Sequence, residues 1–178
     1  MFFPTKVNRA IITWFGCGRV PVAPGTAGSV GALPLCWVMA EYANMWVRLS
    51  VAIGMTAIAI LGSAQDQKEG GSRDPQYIVV DEVAGMLWTT LICGSEWLWL
   101  LVGFGLFRVF DVLKPFPANL FDRASKTSTS WFRRGAHIVL DDVVAGIYAL
   151  IVLEIIIIVN DFGIHDSVKF VSRWLHSL

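Results

Sequence analysis

The sequence predicts an all-α protein, a helical membrane bundle whose motif-bearing loops gather on the cytoplasmic face. Three observations carry that reading. Hydrophobic residues make up 55% of the 178 positions and charged residues only 16%, with a mean hydropathy of +0.60; soluble domains average about 25% charged. The apolar residues collect into five runs separated by short polar breaks. Eight Trp and eleven Phe supply anchors for a membrane–water interface. The net charge is zero, so no overall field favours a nucleic acid partner.

Met1 to Arg9 carries Lys6 and Arg9, and Ala10 to Phe15 is too short and too polar at its flanks for a secretory signal, so export is not expected. Val20 to Ser29 is dense in Pro and Gly and reads as a loop. Val30 to Tyr42 then reads as a helix interrupted only by Pro34 and Glu41, and a second run, Trp46 to Leu61, follows a break at Asn44. Ser63 to Gln76 is polar and rich in Gly, and is expected as a solvated loop. Ile78, Val79 and Val80 lead into Asp81–Glu82 and a third run, Val83 to Cys93. After a turn at Gly94–Ser95–Glu96, Trp97 to Phe110 runs back. Lys114–Pro115–Phe116–Pro117 ends that helix, because proline lacks an N–H and disfavours helix at the residue before it.

Ala118 to Gly135 is the most basic stretch, and the longest apolar run, Val143 to Val159, is broken only by Glu154. Ile164, Val168, Val171, Leu175 and Leu178 then form a helical stripe opposite Lys169, Arg173 and His176. That pattern suits an interfacial tail helix over 161–178, following a helical domain over 1–160. Cys17, Cys36 and Cys93 match no metal spacing, and neither do His137, His165 and His176.

Counting each run as one crossing puts the loop before Val30 on the same side as Asp81, Glu82, Asp111, Asp141 and Asp142. Lys6, Arg9, Arg19, Lys68, Arg73, Arg108, Lys114, Arg123, Lys126, Arg133 and Arg134 fall on that side too, while Arg48, Lys169 and Arg173 fall opposite. The excess of cations marks the acid-bearing side as cytoplasmic. Length argues against five full spans: Val83 to Cys93 covers about 16 Å as a helix against roughly 30 Å of hydrocarbon.

The acids carry the chemistry. A charge costs roughly 2.5–3.5 kcal/mol at the centre of a membrane helix and less near its ends, and all five acids sit at edges of apolar runs. Capping of a helix N-terminus is the alternative reading of each doublet, Asp81–Glu82 and Asp141–Asp142, although one acid satisfies that role. Brought to one side, the five would repel one another without a shared cation. Hard oxygen ligands suit Mg²⁺ or Mn²⁺. Arg108, Asp111 and Lys114 recur at three-residue spacing, either as a surface ion-pair ladder or as an anion clamp at the end of an otherwise apolar helix. Asp122–Arg123 adds a further acid and a forked donor able to grip phosphate. Thr26 and Ser29, in Pro24 to Ser29, stand where a helix start could offer N–H and hydroxyl groups to an anion. Other routes to phosphate-ester cleavage lack their residues: the positions six after the three cysteines are Ala23, Tyr42 and Trp99 rather than Arg, and neither Asp-x-Asp nor Pro-Ser-Gly-His occurs.

The stretches Pro-Gly-Thr-Ala-Gly-Ser (24–29), Val-Val-Asp-Glu-Val-Ala-Gly-Met (79–86), Phe-Arg-Val-Phe-Asp-Val-Leu-Lys-Pro-Phe-Pro (107–117), Phe-Asp-Arg (121–123) and Leu-Asp-Asp-Val-Val-Ala-Gly (140–146) resemble the phosphatidylglycerophosphatase A family, in that family's order. The resemblance spans most of the chain and leaves the part after Val159 uncovered. It implies an all-helical, Mg²⁺-dependent lipid phosphatase of the bacterial cytoplasmic (inner) membrane, its active site facing the cytoplasm, that hydrolyses phosphatidylglycerophosphate to phosphatidylglycerol and inorganic phosphate. The family's motif acids carry over to Asp81, Glu82, Asp111, Asp122, Asp141 and Asp142, without individual roles. Put together, Asp81, Glu82, Asp111, Asp141 and Asp142 are expected to ligate Mg²⁺ and serve catalysis. Thr26, Ser29, Arg108, Lys114, Asp122 and Arg123 are expected to bind the phospholipid substrate. Direct attack by water and an aspartyl-phosphate intermediate both remain open, as do two rival functions: a membrane cation carrier using the same acids, and a phosphatase of another lipid phosphate monoester.

Overall fold

A computed structural model describes residues 1–72 and 75–175, with side chains described as far as 162. Seven α-helices make up the fold, with no strand among the described residues: α1 (Thr5–Ile12), α2 (Pro24–Tyr42), α3 (Met45–Lys68), α4 (Val80–Thr89), α5 (Trp97–Leu113), α6 (Ala118–Thr127) and α7 (Trp131–Leu175), with a 3-10 turn at Cys17–Arg19. Local chemistry sets several boundaries. Pro24 starts α2 from its first turn, where its missing N–H is no loss. Asn44 caps α3 by accepting from the Val47 N–H at 3.1 Å. Lys114 ends α5 in a left-handed conformation (φ 43°), and Pro115 and Pro117 prevent its resumption.

α4 is the hub. It is buried on nearly every side, packed by α2, α3, α5 and α7. One core cluster joins Val83 and Met86 of α4 to Leu100 and Phe107 of α5 and to Ala145, Ala149 and Leu153 of α7. A second joins Val80 and Ala84 to Ile12, Ala59, Val139 and Val143. Each large side chain so buried contributes about 1.5–3 kcal/mol. Where α4 crosses α7 the backbones touch: a Cβ on Gly146 would stand 2.4 Å from the Gly85 carbonyl oxygen, and one on Gly85 would stand 2.9 Å from the Asp142 carbonyl oxygen. Only glycine at both positions permits that approach.

Two helices among the described residues, α3 and the part of α7 from Trp131 to Phe162, are long and apolar enough to cross a membrane. Only 17% and 33% of their apolar windows are buried, so much of their apolar surface faces outward, as suits a helix in contact with lipid. Five full crossings do not form. α4, with 10 residues, is about 15 Å long and α5, with 17, about 26 Å, both short of the hydrocarbon thickness.

Three boundary expectations also change. The stretch from Ser63 is not a loop, because α3 continues to Lys68 with Ser63, Ala64, Gln65 and Gln67 buried. Gln65 holds the chain start there, accepting from the N–H groups of Phe2 and Phe3 at 2.7 and 2.8 Å. Pro24 to Ser29 is the beginning of α2 rather than a loop before it. Asp141 and Asp142 lie well inside α7, so neither caps a helix. The α7 backbone continues unbroken to Leu175, and the side chains of the apolar stripe from Ile164 onward lie outside the described residues.

Candidate active site

The α4–α7 glycine contact fixes the site. Asp81 is one turn before Gly85 and Asp142 one turn before Gly146, so each acid shares a helix face with the point of closest approach. Asp81, Glu82 and Asp142 consequently converge, with one oxygen from each lying within 4.8 Å of the others. The three face a cleft of about 430 Å³, whose other walls come from the start of α2, the end of α5, α6 and the segment before α4.

Cations line the same cleft, interleaved with the acids. Arg108 reaches Asp111 at 2.8 Å and comes within 4.0 Å of Glu82. Lys114 bonds Asp141 at 2.6 Å and Asp122 at 2.7 Å, and Lys126 bonds the other Asp122 oxygen at 3.1 Å. Of the five acids expected to share a cation, then, three converge. Asp111 and Asp141 border them, each already paired with a positive side chain.

Burial dominates the acid electrostatics. It pushes the Asp81 carboxyl well above the usual carboxylate range, and repulsion from Glu82 and Asp141 adds to the rise. Glu82 is pushed up to about 8 by burial, which outweighs an opposing hydrogen bond with Asp81, and repulsion from Asp142 and Asp111 adds to the rise. Burial alone would lower Lys114, but Asp141 and Asp122 outweigh it and hold the ammonium charged. Lys114 and Lys126 keep Asp122 below its ordinary value although burial pulls the other way.

These residues fit a divalent cation. Glu82 Oε2 and Asp141 Oδ1 are buried with no hydrogen-bond partner, and a buried carboxylate oxygen left alone costs free energy that a cation removes. All donors are hard oxygens, the set that suits Mg²⁺. Asp81, Glu82 and Asp142 could hold it, with Asp141 at the border. Gly25 leaves the room: a Cβ there would lie 2.2 Å from Glu82 Oε1.

Arg108, Lys114 and Asp122 line the cleft as expected of substrate-binding residues, whereas Thr26, Ser29 and Arg123 do not. Ser29 is buried and its hydroxyl donates back to the Gly25 carbonyl at 3.0 Å. Arg123 is exposed, one position past the inward-facing Asp122. Sequence reasoning passed over Lys126, Ser125 and Gln76, which do line the cleft, and of the segment Pro24 to Ser29 that it singled out, Pro24 and Gly25 line it. Lys126 was open to inference, since it stands four residues after Asp122 on a helix; Gln76 carried no signal of its own.

Buried acids and cations share one open cleft of the helical bundle, an arrangement suited to a phosphoric monoester, and comparison with known proteins makes the chain a phosphatase, a hydrolase of such esters. Residues 10–157 match the Phosphatidylglycerophosphatase A family, and the chain belongs to that family. It is 35% identical to phosphatidylglycerophosphatase A of Escherichia coli (strain K12) over 144 residues, covering 80% of this chain and 78% of the relative. The Haemophilus influenzae phosphatidylglycerophosphatase A is 36% identical, covering 78% and 82%. A Bacteroides thetaiotaomicron protein named putative phosphatidylinositol-3-phosphatase is 30% identical, covering 85% and 94%. No solved structure matches the chain.

Proposed function

We propose that the protein hydrolyses phosphatidylglycerophosphate to phosphatidylglycerol and inorganic phosphate, using Mg²⁺ held by Asp81, Glu82 and Asp142, at the cytoplasmic face of a bacterial inner membrane. The observation that carries the proposal is the meeting of those three acids in one cleft that Arg108, Lys114 and Lys126 also line. Grouping of the acids at one end of the bundle, rather than along a path through it, favours hydrolysis over cation transport. The names of the two phosphatidylglycerophosphatase A relatives support the headgroup, and the cation excess around the cleft supports its cytoplasmic orientation.

When bound, Mg²⁺ supplies charge neutralisation and Lewis acidity at the phosphoryl oxygens. The chain's own residues do the rest. Arg108, Lys114 and Lys126 bind the oxygens of the terminal phosphate and orient the phosphorus toward the acids. Asp141, held by Lys114 through Oδ2 and free at Oδ1, takes a proton from the attacking water. A water oxygen–phosphorus bond forms, the phosphorus–glycerol oxygen bond breaks, and the proton passes to the departing glycerol oxygen. Positioning and charge stabilisation suffice, because a loose phosphoryl transition state needs little covalent help. The outward apolar faces of α3 and α7 keep the acyl chains of the substrate in the bilayer while its headgroup enters the cleft.

The test is phosphate release by purified protein from phosphatidylglycerophosphate, with phosphatidate and phosphatidylinositol 3-phosphate as competitors. Chelation should abolish release and Mg²⁺ should restore it. Preference for either competitor would overturn the headgroup, and full activity in chelator would overturn the metal.

A further inference from the structure

A second, basic cavity lies beside the first and has no part in the chemistry above. It measures about 460 Å³ and is lined by Lys6, Arg9, Thr13, Phe15 and Arg19 from α1 and the turn after it. An adjoining hollow of about 370 Å³ is lined by Arg9, Thr13, Arg19 and Tyr77. None of Lys6, Arg9 and Arg19 forms an ion pair among the described residues. Asp66, an acid that feels the Arg9 charge, is engaged by the Tyr77 hydroxyl, which donates to it at 2.7 Å. Three cations thus converge on an open cavity with no direct ion pair among the described residues, and Asp66 offsets only the Arg9 charge, from a distance.

Exposed apolar side chains adjoin the cations. Phe15, which lines the cavity, is 79% exposed, and Val7 and Val20, next in sequence to Lys6 and Arg19, are exposed as well. Trp14 and Phe15 are both held at positive φ (43° and 55°), a conformation that costs of order 1–3 kcal/mol at a non-glycine residue and persists only where the surroundings impose it. Here the Trp14 indole is anchored by donating to the Gly31 carbonyl at 2.9 Å, while the next ring, Phe15, stands outward. Cations gathered beside exposed rings and branched aliphatics match the layer where phosphate headgroups meet acyl chains, and match a free ion in water poorly.

The location fits that layer. The Val79 N–H donates to the Ile12 carbonyl at 2.8 Å, tying the end of α1 to the start of α4, where Asp81 and Glu82 stand. The intervening segment alternates: Gln76 and Ile78 line the catalytic cleft, and Tyr77 lines the basic hollow. The two cavities are the two sides of one short strip of chain.

We infer that Lys6, Arg9 and Arg19, with Phe15, form a docking site for the headgroup of an anionic bilayer phospholipid, distinct from the catalytic cleft and backing onto its wall. The full-length protein in detergent, titrated with phosphatidylserine (a phosphodiester that offers no phosphate monoester to hydrolyse) and examined by native mass spectrometry, should retain the lipid. Phosphatidylcholine and inorganic phosphate should be retained far more weakly. Each cation near an anionic lipid surface is worth roughly fivefold in affinity, so Arg9→Gln/Arg19→Gln should weaken retention about 30-fold. Arg108→Gln, in the catalytic cleft, should leave it unchanged. Circular dichroism of the double variant checks its helices, and Arg19→Gln alone, at an exposed turn position, should still lose about fivefold. Equal retention by the wild-type protein and the double variant, loss in Arg108→Gln, or retention of inorganic phosphate as tight as that of the lipid would each overturn the inference. None of these outcomes depends on which lipid the enzyme hydrolyses.

Discussion

Replacing Gly146 with alanine would separate the two helices that bring the acids together, without touching an acid. The new Cβ would lie 2.4 Å from the Gly85 carbonyl oxygen and 3.1 and 3.2 Å from the Gly85 C and Cα. Ordinary contact begins near 3.4 Å, so α4 has to withdraw by about 1 Å, and no rotamer relieves a clash with backbone. Overpacking of this kind costs about 1–3 kcal/mol, which a domain stable by roughly 5–15 kcal/mol survives folded. The same withdrawal moves Asp81 and Glu82 away from Asp142, and a misplacement of about 1 Å at a reacting centre costs on the order of 100-fold. Phosphate release measured against Mg²⁺ concentration should therefore show kcat/KM down about 100-fold and a higher Mg²⁺ requirement. The melting temperature should fall by about 2–4 °C for each kcal/mol lost. Gly54→Ala, where a Cβ meets nothing within 4 Å, should change neither. If Gly146→Ala kept full activity at the wild-type Mg²⁺ requirement, the helix contact would not set the geometry of the site.

Three further outcomes follow from the same arrangement. Lys114→Met removes the cation that ties Asp122 to Asp141; KM for the lipid phosphate should rise at least tenfold by the order of a lost charge-assisted contact, and steady-state kinetics in mixed micelles measures it. Ser29→Ala should stay within about twofold of wild-type activity, because its hydroxyl serves only the Gly25 carbonyl and a surrendered local bond of this kind is worth about 1 kcal/mol of stability. For pH, Glu82 is raised in the folded protein to about 8, so the folded state keeps a proton that the unfolded chain gives up. In chelator, the stability this provides is complete below the unfolded value near 4.5 and is lost as pH rises through about 8. Melting temperatures should fall over that window, and Mg²⁺ should recover more of the loss at pH 8 than at pH 6; a chelated protein whose stability rises across the window would contradict the assignment.

Much of this was legible in the chain because acids are scarce in it and their placement is conspicuous. Asp81–Glu82 and Asp141–Asp142 stood out against apolar neighbours, and they do meet. What the pattern could not convey was the partition of charge. Asp141 and Asp111 look equivalent to Asp142 in sequence, yet Lys114 and Arg108 claim them, because pairing depends on how α5 and α7 are rotated in the assembled bundle. Hydropathy also misread α4: a helix buried on all sides by its own protein and one wrapped by lipid have the same apolar composition, and only its length of 10 residues tells them apart. Ser63 to Lys68 was hidden for the opposite reason. Two of its polar side chains are buried through specific bonds, Gln65 to the first residues and Gln67 to Arg134, and such bonds leave no periodic trace. Ser29 looked like an anion ligand because serine near a helix start often is one; its position a full turn after Gly25 turned the hydroxyl to the backbone instead.

Titration of the purified protein with Mn²⁺, a paramagnetic substitute for Mg²⁺ read by electron paramagnetic resonance, puts the shared cation to the most direct test. Wild-type protein should bind Mn²⁺ stoichiometrically and release it to excess Mg²⁺, while Asp142→Asn and Glu82→Gln, still helical by circular dichroism, should lose the bound signal. Undiminished binding in both variants would mean that the acids brought together by α4 and α7 do not hold the metal.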